Sequence, residues 1–235
     1  MFSRSARWYD AFYGHKDYAA EAERVTAIIN DARPGAASLL DVACGTGRHL
    51  DHFRSTFARC EGIDLDEELL AVARERLPDV TFTTGDMADF DLGRRFDAVV
   101  CLFSSIGYTV TVDRLRSAVA AMARHLVPDG VLVVEPWILP DNWTDPGTTF
   151  VTVVEQGDRK LVRVVTSRRE GTLSRLEMHY VIAQHGHIET ADETHILGLF
   201  SKHDYLGAFR AAGLEPAWDD DGLIGRGLVV GVGPR

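Results

Sequence analysis

Leu39-Leu40-Asp41-Val42-Ala43-Cys44-Gly45-Thr46-Gly47-Arg48-His49-Leu50 carries an apolar strand into a glycine turn and then into the start of a helix. That order holds a nucleotide-type cofactor against backbone. Gly45 and Gly47 lack Cβ, so the chain there can turn tightly and let a ligand lie directly on it. The helix opening near Gly47 offers unpaired N–H groups to an acidic part of the ligand. The dinucleotide fingerprint is the obvious rival, and it needs a third Gly or Ala three residues after the second for close helix–strand packing. Leu50 occupies that place, and the rival fails.

The composition narrows the function. The 235 residues are 46% hydrophobic, enough for one large α/β domain or a domain with an insertion. A formal net charge of -10 argues against a nucleic-acid binder, which needs a Lys/Arg-rich face to neutralise phosphates. Cys44, Cys60 and Cys101 lie in or beside apolar runs with no paired spacing, and read as buried thiols in a reducing cytoplasm. The nine histidines show no metal-ligand spacing, and His179 and His195 read as core or surface residues. Asp219-Asp220-Asp221-Gly222 reads as a solvated turn and no metal is expected. The first ten residues lack the apolar core of a signal peptide, and no later run has the length of a membrane span. A soluble cytoplasmic protein is expected.

Along the chain the pattern alternates. Asp17 to Asp31 places Ala19, Ala22, Val25, Ile28 and Ile29 at helical spacing, ended by Pro34-Gly35. Then follow a strand to Ala43, a helix to about Phe57, a strand to Asp64, a helix from Glu67 to Leu77 and a strand from Val80 to Thr83. Phe96 to Leu102 is a fourth strand, Val112 to Leu126 a helix, Pro128-Asp129-Gly130 a turn and Val131 to Glu135 a fifth strand. Such alternation predicts a mostly parallel, doubly wound α/β sheet of the Rossmann-like type. Between Thr148 and Phe200 the period changes to two, as in Phe150, Thr152 and Val154, which predicts antiparallel strands joined at Gly157-Asp158, Gly171 and His185-Gly186. A capped helix from Ser201 to Ala212 and strands at Leu214 to Trp218 and Leu228 to Val232 close the sheet. The expected organisation is a core of residues 1–147 and 201–235 with an inserted antiparallel β-sheet at 148–200.

Ligands of an open α/β sheet bind beyond the carboxyl ends of its strands. Asp64 ends the second strand, where a carboxylate can accept from two ribose hydroxyls. Asp86-Met87 follow the third, where an acid can accept from an adenine amino group and a thioether can pack on the ring. Leu102-Phe103 end the fourth. One acid at a strand end is usually a turn or cap residue, but a succession of such positions after a glycine loop points to a cofactor.

Asp41 within the strand and Gly45-Thr46-Gly47 after it resemble the first motif of the S-adenosylmethionine-dependent methyltransferases. A narrower likeness covers nearly the whole chain. Asp41 to Gly47, Gly85-Asp86-Met87 with Asp89-Phe90, Phe103-Ser104-Ser105-Ile106-Gly107-Tyr108, Val134-Glu135-Pro136-Trp137, Arg169-Glu170-Gly171, His179-Tyr180 and Gly225-Arg226-Gly227 resemble the dTDP-aminosugar N,N-dimethyltransferases of macrolide desosamine and mycaminose biosynthesis. The resemblance implies dimethylation of the amino group of a dTDP-linked amino-deoxysugar, using two S-adenosylmethionine molecules in succession. By position, Tyr9, Tyr18, Ala43, Asp64, Asp86, Met87 and Leu102, with Gly45 and Gly47, would contact the cofactor. Trp137, Arg163, Ser167 and Arg226 would face the nucleotide sugar, and Tyr108 is the candidate catalytic residue. The family carries His or Tyr at the position of Tyr108, so an imidazole base at that position is not available here. Its second aromatic after Trp137 is Ile138.

The chemistry asks mainly for alignment and exclusion of water, because the sulfonium carbon is activated and a neutral amine is already a nucleophile. Tyr108 is read either as a hydrogen-bond partner of that amine or as an aromatic packed under the insertion. Arg163, Arg168 and Arg169 are read as ligands of the substrate or as solvated charge, whereas Arg226 between two glycines can approach a diphosphate. A hydroxyl or amino-acid acceptor and a non-catalytic cofactor-binding protein remain the competing readings, and homodimerisation stays open.

Overall fold

The computed structural model describes residues 6–144 and 147–234, with Ala6 and Arg7 as backbone only. Residues 1–5 and 145–146, which fall in the expected core segment 1–147, and residue 235 lie outside the described residues. Helix α1 (Ala6–Phe12) and α2 (Tyr18–Ala32) lead into β1 (Ser38–Val42), α3 (Arg48–Phe53), β2 (Arg59–Asp64), α4 (Glu67–Arg76), β3 (Thr81–Thr84) and β4 (Phe96–Cys101). A 3₁₀ segment (Ser105–Thr109), α5 (Val112–Arg124) and β5 (Leu126–Val134) follow. Then come β6 (Thr149–Gln156), β7 (Arg159–Glu170), β8 (Leu173–Gln184) and β9 (His187–Gly198), before α6 (Lys202–Ala211), β10 (Glu215–Asp219) and β11 (Leu228–Val232).

The main sheet runs β10-β11-β5-β4-β1-β2-β3, with β1 to β5 parallel to one another and β11 antiparallel to both its neighbours, β5 and β10. The second sheet, β6-β7-β8-β9, is antiparallel throughout. This is the expected α/β class, with the antiparallel sheet between β5 and α6. Alternate residues of the strands feed the two faces. Leu40 and Val42 pack with α5 and α6 through Leu115, Val119, Tyr205 and Phe209, whereas Leu39 packs with α2 and α3 through Val25, Ile29, Leu50 and Phe53. A third core joins Trp8 and Phe12 of α1 to Leu161, Val165, Met178 and Tyr180 on the inner face of the second sheet. No helix among the described residues is long and apolar enough to cross a membrane.

Three local readings are corrected. The helix expected to reach Phe57 ends at Phe53, where the chain turns through Arg54. Pro128-Asp129-Gly130 does not separate a helix from a strand. It sits inside β5, and the register with β4 jumps from Phe96↔Leu126 to Ala98↔Val131, a bulge that Asp129 permits at φ +59°. Helix α1, absent from the sequence reading, is held by tertiary contact. Several of the helix starts read from sequence carry side-chain caps: Asp17 accepts from Ala20 N–H, Asp66 from Glu68 and Leu69, and Ser201 with Asp204 forms a capping box.

Asp97 fastens the amino ends of the strands. Its Oδ2 accepts from Ala37 N–H (3.0 Å), Ser38 N–H (3.0 Å) and Ser38 Oγ (2.7 Å), and Oδ1 accepts from Arg33 Nε (2.9 Å) at the end of α2. Burial opposes its charge, but these donors outweigh it and hold the carboxyl below the usual carboxylate range. Since the folded-state pKa is depressed, this stabilisation is complete above the unfolded value and is lost as pH falls through the folded one. Asp97→Ala should therefore cost about 1–3 kcal/mol near neutral pH. Chemical denaturation of the two proteins should show that difference shrinking below the ordinary carboxylate pKa of about 3.9.

Candidate active site

The carboxyl ends of β1, β2 and β4 meet at one rim, and the turn after β1 is shaped by positive φ at Ala43 (60°), Gly45 (55°) and Gly47 (74°). Cys44 N–H donates to Ile63 O at 3.1 Å, which carries the turn against the end of β2. There Asp64 receives Gly45 N–H on Oδ2 (2.8 Å) and Asp66 N–H on Oδ1 (2.9 Å). Each oxygen keeps a lone pair for a further donor. Burial pushes this carboxyl up, more than the backbone donors from Asp66 and Gly45 bring it down. A Cβ built on Gly45 would meet nothing within 4 Å, so that backbone faces open space. Gly47 serves the turn itself, donating to Cys44 O at 3.0 Å and capping α3.

Two clefts adjoin this rim. The first, about 130 Å³, is lined by Ala43, Gly45, Asp64, Asp86, Met87 and Tyr108. A small recess beside it is lined by Tyr18, Asp41 and Leu102, and Tyr9 borders both. Buried Asp41 Oδ2 has no hydrogen-bond partner there. Asp86 is less free than expected: Oδ1 accepts from Ala88 N–H (2.9 Å) and Oδ2 from Arg114 Nη2 (2.7 Å). Burial opposes its charge, but those two donors hold the carboxyl below the usual range.

The second cleft, about 740 Å³, opens between the rim and the inner face of the β6–β9 sheet, with Tyr108, Trp137, Arg163 and Arg226 on its wall. Arg226 lies 4.6 Å over the Trp137 ring and donates from Nη1 to Ser104 Oγ at 3.0 Å. Arg163 is only 4% exposed and sits 4.9 and 4.7 Å over the rings of Phe12 and Tyr13, which settles the solvated-charge reading against it. Arg168 and Arg169 are exposed and bond Glu170 and the carbonyls of Gly171 and Pro140. Ser167 is not on this wall. Its Oγ is held at the edge of β7 by Thr148, 3.0 Å from the amide and 2.8 Å from the hydroxyl.

Other residues in and behind the walls were given no role in the sequence reading. Lys16 pairs with Glu21, which bonds His49 Nε2 at 2.9 Å, and Lys16 Nζ stands 4.4 Å over the Phe103 ring. Glu135, fully buried, accepts from Phe103 N–H on Oε2 at 2.6 Å while its Oε1 has no partner. Burial pushes its carboxyl up to about 6. A lone acid ending the apolar run Val131 to Val134 was the available signal. Tyr108 belongs to the walls of both clefts, and its hydroxyl lies 2.8 Å from Nδ1 of His195, a residue read from sequence only as core or surface. Burial pushes this phenol well above its ordinary value, so it keeps its proton.

Residues 39–130 match the model of a methyltransferase domain. The chain is 47% identical over 227 residues, 95% of each protein, to the dTDP-3-amino-3,4,6-trideoxy-alpha-D-glucopyranose N,N-dimethyltransferase of Streptomyces venezuelae. It is 41% identical, over 95% of this chain and 90% of the other, to the dTDP-4-amino-2,3,4,6-tetradeoxy-D-glucose N,N-dimethyltransferase of Saccharopolyspora spinosa. Among solved structures it is similar to S-adenosylmethionine-bound CalS10, an amino pentose methyltransferase of Micromonospora echinaspora involved in calicheamicin biosynthesis (TM-score 0.87, 42% identity, 96% of both chains).

A ribose diol on the free lone pairs of Asp64 requires an ionised carboxylate. Asp64→Ala should weaken S-adenosylmethionine binding by about 2–4 kcal/mol, tens-fold or more, in calorimetry. Because the carboxyl is raised in the protein, wild-type affinity should begin to fall at a higher pH than an ordinary aspartate would cause, and the variant's should not follow it.

Proposed function

This chain belongs to the dTDP-aminosugar N,N-dimethyltransferases, a group of class I S-adenosylmethionine-dependent methyltransferases, and from that premise we propose how its two clefts divide the reaction. The enzyme dimethylates the amino group of a dTDP-linked amino-deoxysugar for the assembly of a natural product. The observation that carries this reading is that Tyr108, with Tyr9 and Ser105, lines both clefts, so a donor in one and an acceptor in the other meet at a common wall.

The residues of the smaller cleft suit S-adenosylmethionine. Open space over Gly45, spare lone pairs on Asp64, the thioether of Met87 and the unpartnered Oδ2 of Asp41 match a diol, a purine and an ammonium group. We assign Tyr9, Tyr18, Ala43, Gly45, Asp64, Asp86, Met87 and Leu102 to it, with Gly47 shaping the turn. When bound, the cofactor supplies a methyl carbon activated by a sulfonium. The protein's part is to hold the neutral amine in line with that carbon and to exclude water.

On the acceptor side, Arg226 suits a diphosphate. Its guanidinium is stacked on Trp137 and steadied by Ser104, so little freedom is lost when it engages an anion. Arg163, held over the rings of Phe12 and Tyr13, brings a second positive charge to the same cleft. In this division residues 1–147 and 201–235 form the cofactor-binding core, which also lends Trp137 and Arg226 to the acceptor cleft, and 148–200 contribute Arg163 to it. The free thiols Cys44, Cys60 and Cys101 suit the reducing cytoplasm.

We also propose that two copies pair through the outer face of the second sheet. Val151 and Val153 are 59% and 58% exposed there, and Val153 continues across the register into Val162 and Val181. An apolar row of that kind suits burial against a second copy. Val153→Asp should shift the sedimentation coefficient from dimer to monomer.

Dimethylation at one site is sequential. Mass spectrometry with excess cofactor should show a monomethylamine rising and then yielding to the dimethylamine, and an ether product would refute the assignment. Arg226→Ala should raise the KM for the sugar nucleotide about 30- to 100-fold, the equivalent of roughly 2–3 kcal/mol, with cofactor affinity unchanged. Arg226→Lys should recover only part of this, because a point charge lacks the forked geometry.

A further inference from the structure

Asp41, assigned above to the ammonium group of the cofactor, lines the small recess with Tyr18 and Leu102, and Asp64, assigned to the ribose, lines the smaller cleft itself. The purine is left with the remaining wall of that cleft, to which Leu65, Leu69, Asp86, Met87 and Arg114 belong. Leu65, 48% exposed, and Met87 give a flat ring apolar contact. What Arg114 does there is set by how it comes to be there.

Helix stability does not explain this arginine. Thr111 caps α5 by accepting from Arg114 N–H on Oγ1 at 3.2 Å, so Arg114 is the third residue of the helix. That position favours Glu or Gln, which completes a capping box, and the positive end of the helix macrodipole disfavours a cation. The guanidinium instead reaches Asp86, 28 residues earlier, with Nη2 2.7 Å from Oδ2. Asp86 is itself fixed by its own turn: Oδ1 accepts from Ala88 N–H at 2.9 Å, and its carbonyl accepts from Asp89 N–H at 3.0 Å. With side chains 51% and 34% exposed, this ion pair contributes little to stability. An arginine that breaks the local rule for so small a return serves the cleft it lines.

We propose that Arg114 closes the purine end of the smaller cleft by stacking its guanidinium on the adenine ring, with Asp86 as the positioning residue that holds it there. This rests on the reading of that cleft as the S-adenosylmethionine site. A guanidinium is planar, weakly hydrated and stacks on aromatic faces, and a purine presents such a face. Both oxygens of Asp86 already receive a donor, so the carboxylate acts through Arg114 and not by accepting from the exocyclic amine. The purine is then recognised by its face more than by its edge. The spent cofactor must leave between two methylations, and a half-exposed side chain held by one carboxylate swings out without any movement of the backbone.

Calorimetry with S-adenosylhomocysteine on the full chain tests this without turnover. Arg114→Ala should weaken binding about 10-fold, the scale of a cation–π contact. Arg114→Lys should recover little of that loss, because an ammonium keeps the ion pair with Asp86 but has no plane to stack. Asp86→Asn, which still accepts from Ala88 N–H, should weaken binding roughly 3-fold alone and have no further effect in the Arg114→Ala background. The analogue with hydrogen in place of the exocyclic amino group should bind the wild-type protein within about 3-fold of S-adenosylhomocysteine. Wild-type affinity in Arg114→Ala overturns the stacking, and with a lowered Tm it marks the pair as a mere tie between loop and helix. An Asp86→Asn effect undiminished in the Arg114→Ala background, or a loss of about 30-fold or more with the analogue, overturns it too, since either places the carboxylate on the amine. Failure of the wild-type protein to bind S-adenosylhomocysteine at all would strike the cofactor reading and the stacking together, whereas the other results strike the stacking alone.

Discussion

Asp64 is the constraint on which the rest of the site depends. Its two oxygens receive the amides of Gly45 and Asp66, so one carboxylate fastens the glycine turn of β1 to the exit of β2. Hydrogen bonds to a charged group contribute about 1.5–3 kcal/mol each, more than the turn's left-handed backbone costs at glycine. With that anchor in place, Gly47 opens α3, Asp66 turns inward to cap α4, and the floor of the smaller cleft lies between them. The carboxylate is a structural clamp first, and the lone pairs it has left over are what a ligand meets.

The walls are assembled from parts that belong to no single layer. Asp10 of α1 accepts from Thr46 Oγ1 at 2.7 Å in the glycine turn and also pairs with Arg76 of α4, so α1 is tied to the main sheet. Its other side presents Trp8 and Phe12 to Tyr180 in the second sheet, with ring centroids 6.5 and 5.5 Å apart. A helix of seven residues thus couples the two sheets across the mouth of both clefts. Burial supplies its stability, since a helix this short is marginal alone.

Much of this arrangement was legible in the sequence because it is local. A glycine turn between an apolar strand and a helix, acids at the ends of the second and third strands and a change of period from 3.6 to 2 are all decided within a few residues. What escaped was non-local. Nothing near α1 announces a helix, because its partners lie far along the chain on β8. Pro128-Asp129-Gly130 carries turn chemistry in earnest, but the bulge absorbs it without ending the strand. Tyr108 and His195 are 87 positions apart and meet only because β9 folds over the 3₁₀ segment. Ser167 shows the converse: it shares the face of Arg163 and Val165, yet a neighbouring threonine holds its hydroxyl. Periodicity assigns a face, and competition for the hydrogen bond decides what that face can reach.

Phe103 and Ser104 follow β4 with φ values of 53° and 60°, two successive left-handed residues of which neither is glycine. Such conformations store about 1–3 kcal/mol each. The side chains explain why glycine does not stand there. Phe103 gives its face to Lys16 and packs T-shaped against Tyr13, and Ser104 bridges Pro136 O and Arg226. The turn is therefore a loaded spring held shut from the acceptor side. Rigidity at the seam between donor and acceptor is bought with global stability, and selection for thermal robustness alone would be expected to erode this seam before it touched either cleft.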